Sequence, residues 1–198
     1  LRNAVKEAAA KAGVTLAGPV ALLKRAPKVP ETNVYDVVVI GAGSTGFNAA
    51  IAAKRAGASV LLLEKNSFSG GNSMLAAGGY NAVGTKQQKA KGITDTVEAY
   101  VEDTLKGGRG KNDRALVEIL AKESAAGVEW LEGMGADLSE VKRSGGARVD
   151  RTHRPTGGET VGPHIVKTLR AQAEKDGVPA RLNSRAVRLI VDENHTVR

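Results

Sequence analysis

Three glycines near the start of the chain have the spacing of a phosphate-binding turn. Gly41, Gly43 and Gly46 follow an apolar run over residues 37–40 and form the pattern G-x-G-x-x-G. In this pattern the first glycine permits a tight turn, the second admits a pyrophosphate to the backbone, and the third lets a helix pack closely on a strand. The N–H groups and positive dipole end of that helix would face the phosphate charge. The turn is therefore a candidate dinucleotide site.

An acidic residue follows the glycine turn at the distance that a dinucleotide site requires. Glu64 ends a second apolar run over residues 59–63, about 20 residues beyond the turn. Its carboxylate can accept hydrogen bonds from ribose hydroxyls, and an acid at this position favours FAD or NAD over NADP. The alternative is a structural βαβ unit with a glycine-rich turn, which the order of strand, turn, helix, strand and acid disfavours.

A second glycine-rich segment covers residues 70–79, with glycine pairs at both ends. Glycine is costly inside helices and strands, so neither is predicted here. Close passage of the backbone against a ligand explains the composition, and a flexible surface loop is the alternative. An NAD-binding domain would have no role for this segment, so the two glycine-rich segments together favour FAD.

The apolar periodicity around these turns predicts alternating strands and helices. Strands are expected at 37–40, 59–63, 180–183 and 186–191, and helices at 47–57, 94–106 and 162–176. Strands that alternate with helices predict an α/β fold, here a Rossmann-like parallel sheet flanked by helices. The sheet is expected to be incomplete at the C-terminal end, where a strand pair would continue.

Two further expectations concern the long helical region and the division of the chain. Another helix is predicted to begin at a cap on Asn112 or Asp113, with Leu116, Ile119 and Leu120 on its apolar face. Beyond a break near Gly127, a continuation presents Val128, Leu131 and Met134. Residues 1–33 are expected to form an N-terminal helical strap and a linker that contains proline, because an Ala-rich stretch precedes a segment with two prolines. Residues 34–198 would then form the N-terminal part of the FAD-binding domain.

The composition excludes several kinds of site. The chain has no cysteine, which rules out disulfides, thiolate metal sites, c-type haem attachment and a cysteine nucleophile within it. The three histidines, His153, His164 and His195, lack the spacing of a helical metal site, so no metal is expected. No segment is long and apolar enough to predict a membrane span.

The chain carries a net charge of +8. Its few aromatic residues are scattered and do not interleave with a basic stripe, so a nucleic-acid partner is not expected. A solvated basic surface is the simplest interpretation of the charge. A positive field can also attract an anionic substrate.

Several segments resemble one known family. The unit over residues 37–64 and the segments GGNSMLAAGGYNA, TDTVEAYVEDTLKGG, VEWLEGMGADL and RTHRPTGG are similar to the flavoprotein subunit of soluble fumarate reductases. The similarity is greatest to the flavocytochrome c group, whose relatives reduce urocanate or methacrylate. It extends from about residue 26 to the C-terminus and does not clearly include residues 1–23. The resemblance implies an FAD-binding domain of the glutathione-reductase type.

The resemblance also assigns roles to particular positions. It implies a pyrophosphate site at the first turn, a ribose site at the second strand end, a loop around the diphosphate and ribityl chain, a segment along the isoalloxazine, and a main-chain contact with adenine. The pyrophosphate site falls on Gly41, Gly43, Thr45 and Gly46, and the ribose site falls on Glu64 and Lys65. The loop around the diphosphate and ribityl chain falls on Gly71, Asn72 and Ser73, and the isoalloxazine segment on Ala77, Gly78 and Gly79. The adenine contact falls on Ala186 or its neighbour Val187.

The substrate side is implied less completely. The family binds a dicarboxylate partly through backbone at the position of Gly78, and His153 lies in the RTHRPTGG segment that the resemblance places on the flavin or substrate side. The alternative for His153 is an ordinary hydrogen-bonded residue of a structural loop. The family's arginine acid, its carboxylate-binding residues and its capping domain match nothing in these residues, so no catalytic residue is expected in this chain.

The implied function is reduction of a carbon–carbon double bond in an unsaturated carboxylate such as fumarate, with a hydride delivered from flavin N5. The implied partners are a small carboxylate substrate, the remainder of the flavoprotein and an electron donor protein such as a c-type cytochrome. The family analogy favours the periplasm, with the cytoplasm left open. The alternatives are another flavoprotein of the superfamily, of the ketosteroid dehydrogenase or amino-acid oxidase type, or a non-catalytic FAD-binding electron-transfer module.

Overall fold

The computed structural model describes residues 34–194 and residue 197. The predicted strap and linker over residues 1–33 lie outside the described residues, as does His195, and those expectations remain predictions. None of the helices within the described range is long and apolar enough to cross a membrane.

The predicted βαβ unit is present. Strand β1 (Val37–Ile40) pairs in parallel with β2 (Val60–Leu63), and helix α1 (Ser44–Arg55) connects them. Strand β6 (Ala180–Arg181) pairs in parallel with the other side of β2, so the sheet order is β1-β2-β6. The central position of β2 explains its continuous apolar run, because a central parallel strand is covered on both faces.

Two helices cover this sheet and form the main core. Helix α1 buries Phe47, Ala50 and Ile51, and helix α5 (Val161–Lys175) buries Val166 and Leu169 at helical spacing. These side chains join Val60 and Leu62 of the central strand in one apolar cluster. The spacing of the buried residues matches one face of a helix, which confirms the predicted helix near residues 162–176.

A second, antiparallel sheet was not predicted. It contains β3 (Tyr80–Asn81), β4 (Glu140–Lys142) and β5 (Thr152–Arg154) in the order β3-β5-β4. A short helix, α2 (Lys86–Ala90), follows β3 and begins with a capping box between Thr85 and Gln88. Strands of two or three residues are too short to give a periodic pattern, which is why the sequence did not indicate them.

Helix α3 (Val97–Gly107) begins three residues after the start of the predicted range 94–106, for which Thr94 was the expected N-cap. Thr96, rather than Thr94, is its N-cap, and the Thr96 hydroxyl accepts a hydrogen bond from the N–H of Ala99. Helix α4 (Arg114–Glu132) begins at the predicted Asp113 cap but continues through Gly127 without the expected break. A glycine is needed at 127 because the Tyr80 hydroxyl would lie 2.2 Å from a Cβ there.

The predicted buried face was wrong in the first half of α4, whereas Val128 and Leu131 of the predicted continuation are buried. Leu116, Ile119 and Leu120 are 65%, 58% and 50% exposed. In this half the helix instead buries a face of smaller side chains, namely Val117, Ala121 and Ser124. Helix α3 packs along this face, and small side chains let two helices approach closely. The sequence of α4 has two adjacent apolar faces, and the prediction selected the face with the larger side chains.

The strand predicted at 186–191 was also wrong. In the described residues beyond β6, the backbone forms one isolated bridge, between Val191 and Val197. Val187 is 86% exposed and Ile190 is 62% exposed. An apolar run becomes a strand only where another strand pairs with it, and the described residues provide none here.

Candidate functional site

The glycine turn leaves the end of a helix open. Gly43 is the N-cap of helix α1 and has no side chain to cap it. Apart from the N–H of Ser44, which donates to the Ser73 hydroxyl, the N–H groups of the first turn can therefore donate to a ligand. A Cβ on Gly46 would lie 1.8 Å from the carbonyl oxygen of Gly41, so only glycine fits where the helix meets the turn. A Cβ on Gly43 would meet nothing closer than 3.7 Å in the same residues. The turn therefore has the open backbone and the positive helix end that a pyrophosphate needs.

Glu64 is buried beneath this turn. One carboxylate oxygen accepts a hydrogen bond from the N–H of Ala42 at 2.9 Å, and the other accepts from the N–H of Asn66 at 2.8 Å. These two backbone hydrogen bonds lower the pKa of the Glu64 carboxyl below its ordinary value. The residue therefore stays ionised, and each oxygen keeps a further lone pair for a ribose hydroxyl.

A cleft of about 250 Å³ opens above Glu64. It brings together several predicted positions that are far apart in sequence, and its lining includes Ile40, Gly41, Glu64, Lys65, Arg185 and Ala186. The N–H of Ser184 donates to the carbonyl oxygen of Glu64 at 2.8 Å, which fixes the start of the segment that carries Ala186. Ala186 thus reaches the predicted place beside the turn although the strand expected around it does not form.

The second glycine-rich segment is attached directly to the first turn. The N–H of Gly70 donates to the carbonyl oxygen of Ala42 at 2.7 Å. The Ser73 hydroxyl oxygen accepts from the N–H of Ser44 at 3.2 Å and lies 2.9 Å from the Ser44 hydroxyl. Residues Gly71–Leu75 form a 3₁₀ turn rather than an irregular loop. Gly71 and Asn72 are exposed on this turn, next to the open end of α1.

The segment continues past Ala77 to the small sheet, where its two glycines have different surroundings. Gly79 has a φ of +128°, and a Cβ there would lie 2.3 Å from the Thr152 methyl group. Gly78 and Ala77 are exposed, and the space beside Gly78 contains no described atom within 4 Å of a Cβ position. Gly79 is thus required by packing, whereas Gly78 leaves an open surface where a ligand can contact the backbone.

His153 does not face a ligand. Its side chain is fully buried in β5. The ring Nδ1 lies 3.0 Å from the carbonyl oxygen of Arg151 and Nε2 lies 2.9 Å from the Thr85 hydroxyl. Nδ1 must donate to the carbonyl, so Nε2 accepts from Thr85 in the neutral tautomer. Burial lowers the pKa of His153. This environment contradicts a direct substrate contact by the His153 side chain and supports the structural alternative.

A buried ion network behind His153 was missed from the sequence. The Arg151 side chain is 1% exposed and pairs with Asp95 at 2.8 Å and with Asp103 at 3.2 Å. Its guanidinium carbon also lies 5.0 Å from the centre of the Tyr100 ring. These partners all lie within residues 95–103, and Asp95 is 56 positions before Arg151, so no local spacing in the sequence could have indicated the contact. The network joins helix α3 to the small sheet that carries Gly79.

The described residues contain no group of three or more histidine, aspartate or glutamate side chains arranged to hold a metal ion. The polar groups gathered at the two glycine-rich segments are instead backbone N–H groups, hydroxyls and one buried carboxylate. A parallel βαβ unit with this turn defines a dinucleotide-binding domain, and the second glycine-rich segment joined to it is the arrangement expected for a flavoprotein.

Comparison with known proteins identifies the class. Residues 36–198 match the family described as FAD binding domain, and the chain belongs to that family. FAD is accordingly its cofactor. The cofactor fits the site, because the open end of α1 and the ionised Glu64 meet at the first glycine turn, and the second glycine-rich segment is bonded to that turn through Gly70 and Ser73.

Named relatives narrow the comparison further. The chain is 61% identical over 162 residues to a protein of Shewanella frigidimarina named "Probable fumarate reductase Ifc3". The matched region covers 82% of this chain and 28% of that protein. It is similar in structure to the open conformation of a flavocytochrome c3 fumarate reductase, with a TM-score of 0.79, 61% identity and 82% and 29% of the two chains covered. A 3-ketosteroid-Δ4-(5α)-dehydrogenase from Rhodococcus jostii RHA1 also matches, with a TM-score of 0.74, 30% identity and 88% and 43% covered.

The chain spans less than a third of the length of these fumarate reductases. The activities of these longer relatives therefore support a proposal about this chain.

Proposed function

We propose that this chain is the FAD-binding portion of a reductase that acts on the activated carbon–carbon double bond of an unsaturated carboxylate, such as fumarate. The observation that carries this proposal is the 61% identity to a protein named as a fumarate reductase, which extends through both glycine-rich segments. FAD supplies the hydride chemistry of such a reaction at its N5 atom. The chain's own residues bind the cofactor, orient it and leave one side accessible.

Each part of the site has a role in this proposal. The open end of α1, with Gly43 and Thr45, holds the pyrophosphate charge, and Gly41 and Gly46 shape the turn. Glu64 accepts from the ribose hydroxyls while Lys65 lines the same cleft, and Ala186 closes it on the adenine side. Gly71, Asn72 and Ser73 lie beside the diphosphate and ribityl chain, and Ala77, Gly78 and Gly79 lie along the flavin ring.

The remaining machinery of the reaction is proposed to come from further protein. The residues that the structure describes form no closed cleft in which an arginine that could donate the proton lies beside a pair of carboxylate-binding groups. A capping domain would supply them, and an electron donor protein, such as a c-type cytochrome, would reduce the flavin. The structural similarity to a flavocytochrome c3 fumarate reductase supports such a donor. The periplasm is the proposed compartment.

The test uses the full-length gene product. We expect a yellow protein with flavin absorbance bands that oxidises a reduced dye when fumarate is added. We also expect residues 1–198 alone to show no fumarate-dependent oxidation. A colourless pure protein would contradict the FAD site, and a flavoprotein that turns over no unsaturated carboxylate would contradict the reductase proposal. Turnover by residues 1–198 alone would contradict the assignment of catalysis to other protein.

The structural similarity to a ketosteroid dehydrogenase supports a second candidate. The same full-length protein, assayed with a 3-ketosteroid and a dye acceptor, separates the two. Dye reduction by the steroid without fumarate reduction would favour the dehydrogenase. Production of hydrogen peroxide from amino acids in air would identify an amino-acid oxidase. Reduction of the flavin without turnover of any of these substrates would identify a non-catalytic electron-transfer module.

A further inference from the structure

We propose that Ser44 is a positioning residue for the cofactor. It fixes the Ser73 hydroxyl as a hydrogen-bond donor to the FAD pyrophosphate, so that the two glycine-rich segments close on the same phosphates. This inference rests on the proposed placement of the diphosphate beside Ser73 and is independent of the substrate that the flavin reduces. Neither the spacing of the glycines nor the family resemblance assigned a role to Ser44.

Ser44 and Ser73 form a polar contact between the two segments. Ser44 is the first residue of α1, and Ser73 lies 29 positions further along the chain, in the 3₁₀ turn. The N–H of Ser44 donates to the Ser73 hydroxyl oxygen at 3.2 Å, and the two hydroxyl oxygens lie 2.9 Å apart. Both side chains are only partly buried, so a ligand can still approach the pair.

The number of donors and lone pairs determines what this contact can do. A hydroxyl has one donor and two lone pairs. When the Ser44 hydroxyl donates to Ser73, the Ser73 oxygen accepts two hydrogen bonds from Ser44, and its own hydrogen can only be donated to a third group. The opposite arrangement would use the Ser73 hydrogen within the pair. An anion beside Ser73 selects the first arrangement, because phosphate oxygens accept, and hydrogen bonds accepted by a hydroxyl strengthen it as a donor.

The Ser73 hydroxyl lies beside the place where the turn admits a pyrophosphate. Its oxygen is 3.8 Å from the position that a Cβ on Gly43 would occupy, and the missing side chain of this glycine is what lets a pyrophosphate approach the backbone. Gly43 and Gly70 also form an isolated parallel bridge, which holds the start of the second segment against the turn. The first turn of α1 and the Ser73 hydroxyl can therefore bind the same phosphates from two segments.

Ser44 is held in place from behind by a neighbouring helix. Its carbonyl oxygen accepts from Nδ2 of Asn48 at 2.9 Å, and Oδ1 of Asn48 accepts from Nε1 of Trp130 in α4 at 2.7 Å. The indole N–H can only donate and the carbonyl can only accept, so the orientation of the Asn48 amide is fixed. Ser44 thus presents its N–H and hydroxyl to Ser73 from a preorganised position, which lowers the cost of ordering the site when FAD binds.

The test titrates the full-length apoprotein with FAD. We expect Ser73→Ala to raise the dissociation constant about 10- to 100-fold, because it removes a hydrogen bond to a charged group. Ser44→Ala removes only the group that orients this donor, so we expect a rise of about 2- to 10-fold. The double variant should match Ser73→Ala alone, because Ser44 acts through Ser73. Ser44→Thr keeps a hydroxyl and should restore the wild-type affinity.

A control and a second readout separate this role from a general structural one. Ser59→Ala removes a hydroxyl that donates to Asp36, at the opposite end of β2 from Glu64, and should leave the dissociation constant unchanged. Phosphorus NMR of the bound FAD reports directly on the pyrophosphate. We expect Ser44→Ala to shift a pyrophosphate resonance while the visible absorbance of the flavin ring stays the same.

Several results would overturn the inference. Additive losses in the double variant would show that Ser44 does not act through Ser73. An unchanged affinity or unchanged phosphorus resonances in Ser44→Ala, or an equal loss in the Ser59 control, would remove the positioning role. An unchanged affinity in Ser73→Ala would refute the proposed placement of the diphosphate as well. A wild-type apoprotein that binds no FAD would instead refute the FAD site itself, and that result is visible before any variant is made.

Discussion

The two sheets of this protein treat polar groups in opposite ways. Around the parallel sheet, Glu64 is bonded only by backbone N–H groups and helix α1 begins without a side-chain cap in the described residues. Around the antiparallel sheet, Arg151 pairs with Asp95, and His153 bonds to Thr85. The first region keeps hydrogen-bonding capacity for a ligand, whereas in the second the buried cation of Arg151 and the imidazole of His153 have partners within the protein, as expected of a scaffold.

The largest expected effect is the loss of Arg151. Arg151→Met leaves Asp95 and Asp103 without their buried cation, and breaking a buried pair costs about 3–5 kcal/mol of the free energy of unfolding. Denaturant unfolding of the full-length protein measures the loss. The control Arg114→Met removes an exposed pair with Glu118, which is worth about 0.3–0.5 kcal/mol. Equal losses in the two variants would show that the buried Arg151 network stabilises the scaffold no more than an exposed ion pair does.

Gly46→Ala should break the ligand region. The added Cβ would meet the carbonyl oxygen of Gly41 at 1.8 Å, and a backbone atom cannot move aside as a side chain can. We expect a loss of about 3 kcal/mol and purification without bound FAD. Gly107→Ala is the matched control, since a Cβ there meets no described atom within 4 Å. Retention of FAD at wild-type stoichiometry in Gly46→Ala would show that the turn does not hold the cofactor.

Glu64→Gln tests the same region with a smaller structural change than Gly46→Ala. Glutamine keeps the size but replaces one acceptor oxygen with an NH₂ group, which faces a backbone N–H. Hydrogen bonds to a charged group are worth about 1.5–3 kcal/mol, so FAD affinity should fall about 10- to 100-fold. Titration of the apoprotein with FAD measures it, and the exposed Glu129→Gln serves as control. An unchanged affinity would show that the Glu64 charge makes no contribution to binding.

The smallest expected effect is a pH dependence that originates in the scaffold. Burial lowers the pKa of His153 in the folded protein, whereas a histidine in the unfolded chain titrates near about 6.5. The unfolded chain then binds more protons below that pH, so stability falls as the pH falls, by at most about 1.4 kcal/mol per pH unit. The backbone-bonded Glu64 carboxyl loses its contribution only in a more acidic window, below its unfolded pKa.

The measurement is chemical unfolding between pH 7.5 and about 5. His153→Gln should remove part of the slope in this range, while Glu64→Gln should leave the slope unchanged. A slope that His153→Gln does not alter would assign the pH dependence to other groups.

The sequence predicted the ligand region better than the scaffold. Three glycines, an apolar strand and Glu64 lie in one short stretch, and local spacing carries the information that positions them. Arg151, Asp95 and His153 meet through pairings between distant segments, which no local pattern reveals. The buried face of helix α4 was chosen wrongly because Leu116 and Ile119 form a stronger apolar stripe than the small residues that pack. The run over 186–191 was predicted as a strand because its partner strand could not be judged from composition.

The pairing of Tyr80 with His153 has a consequence for the order of folding. The two residues are separated by 73 positions, whereas Ala42 and Glu64 are separated by 22. Short loops close at a lower entropic cost than long ones, and local contacts tend to form earlier. We expect the glycine turn to be in place while the edge that carries Gly79 and Arg154 is still assembling. FAD would then meet a chain whose phosphate end is ready before its ring end.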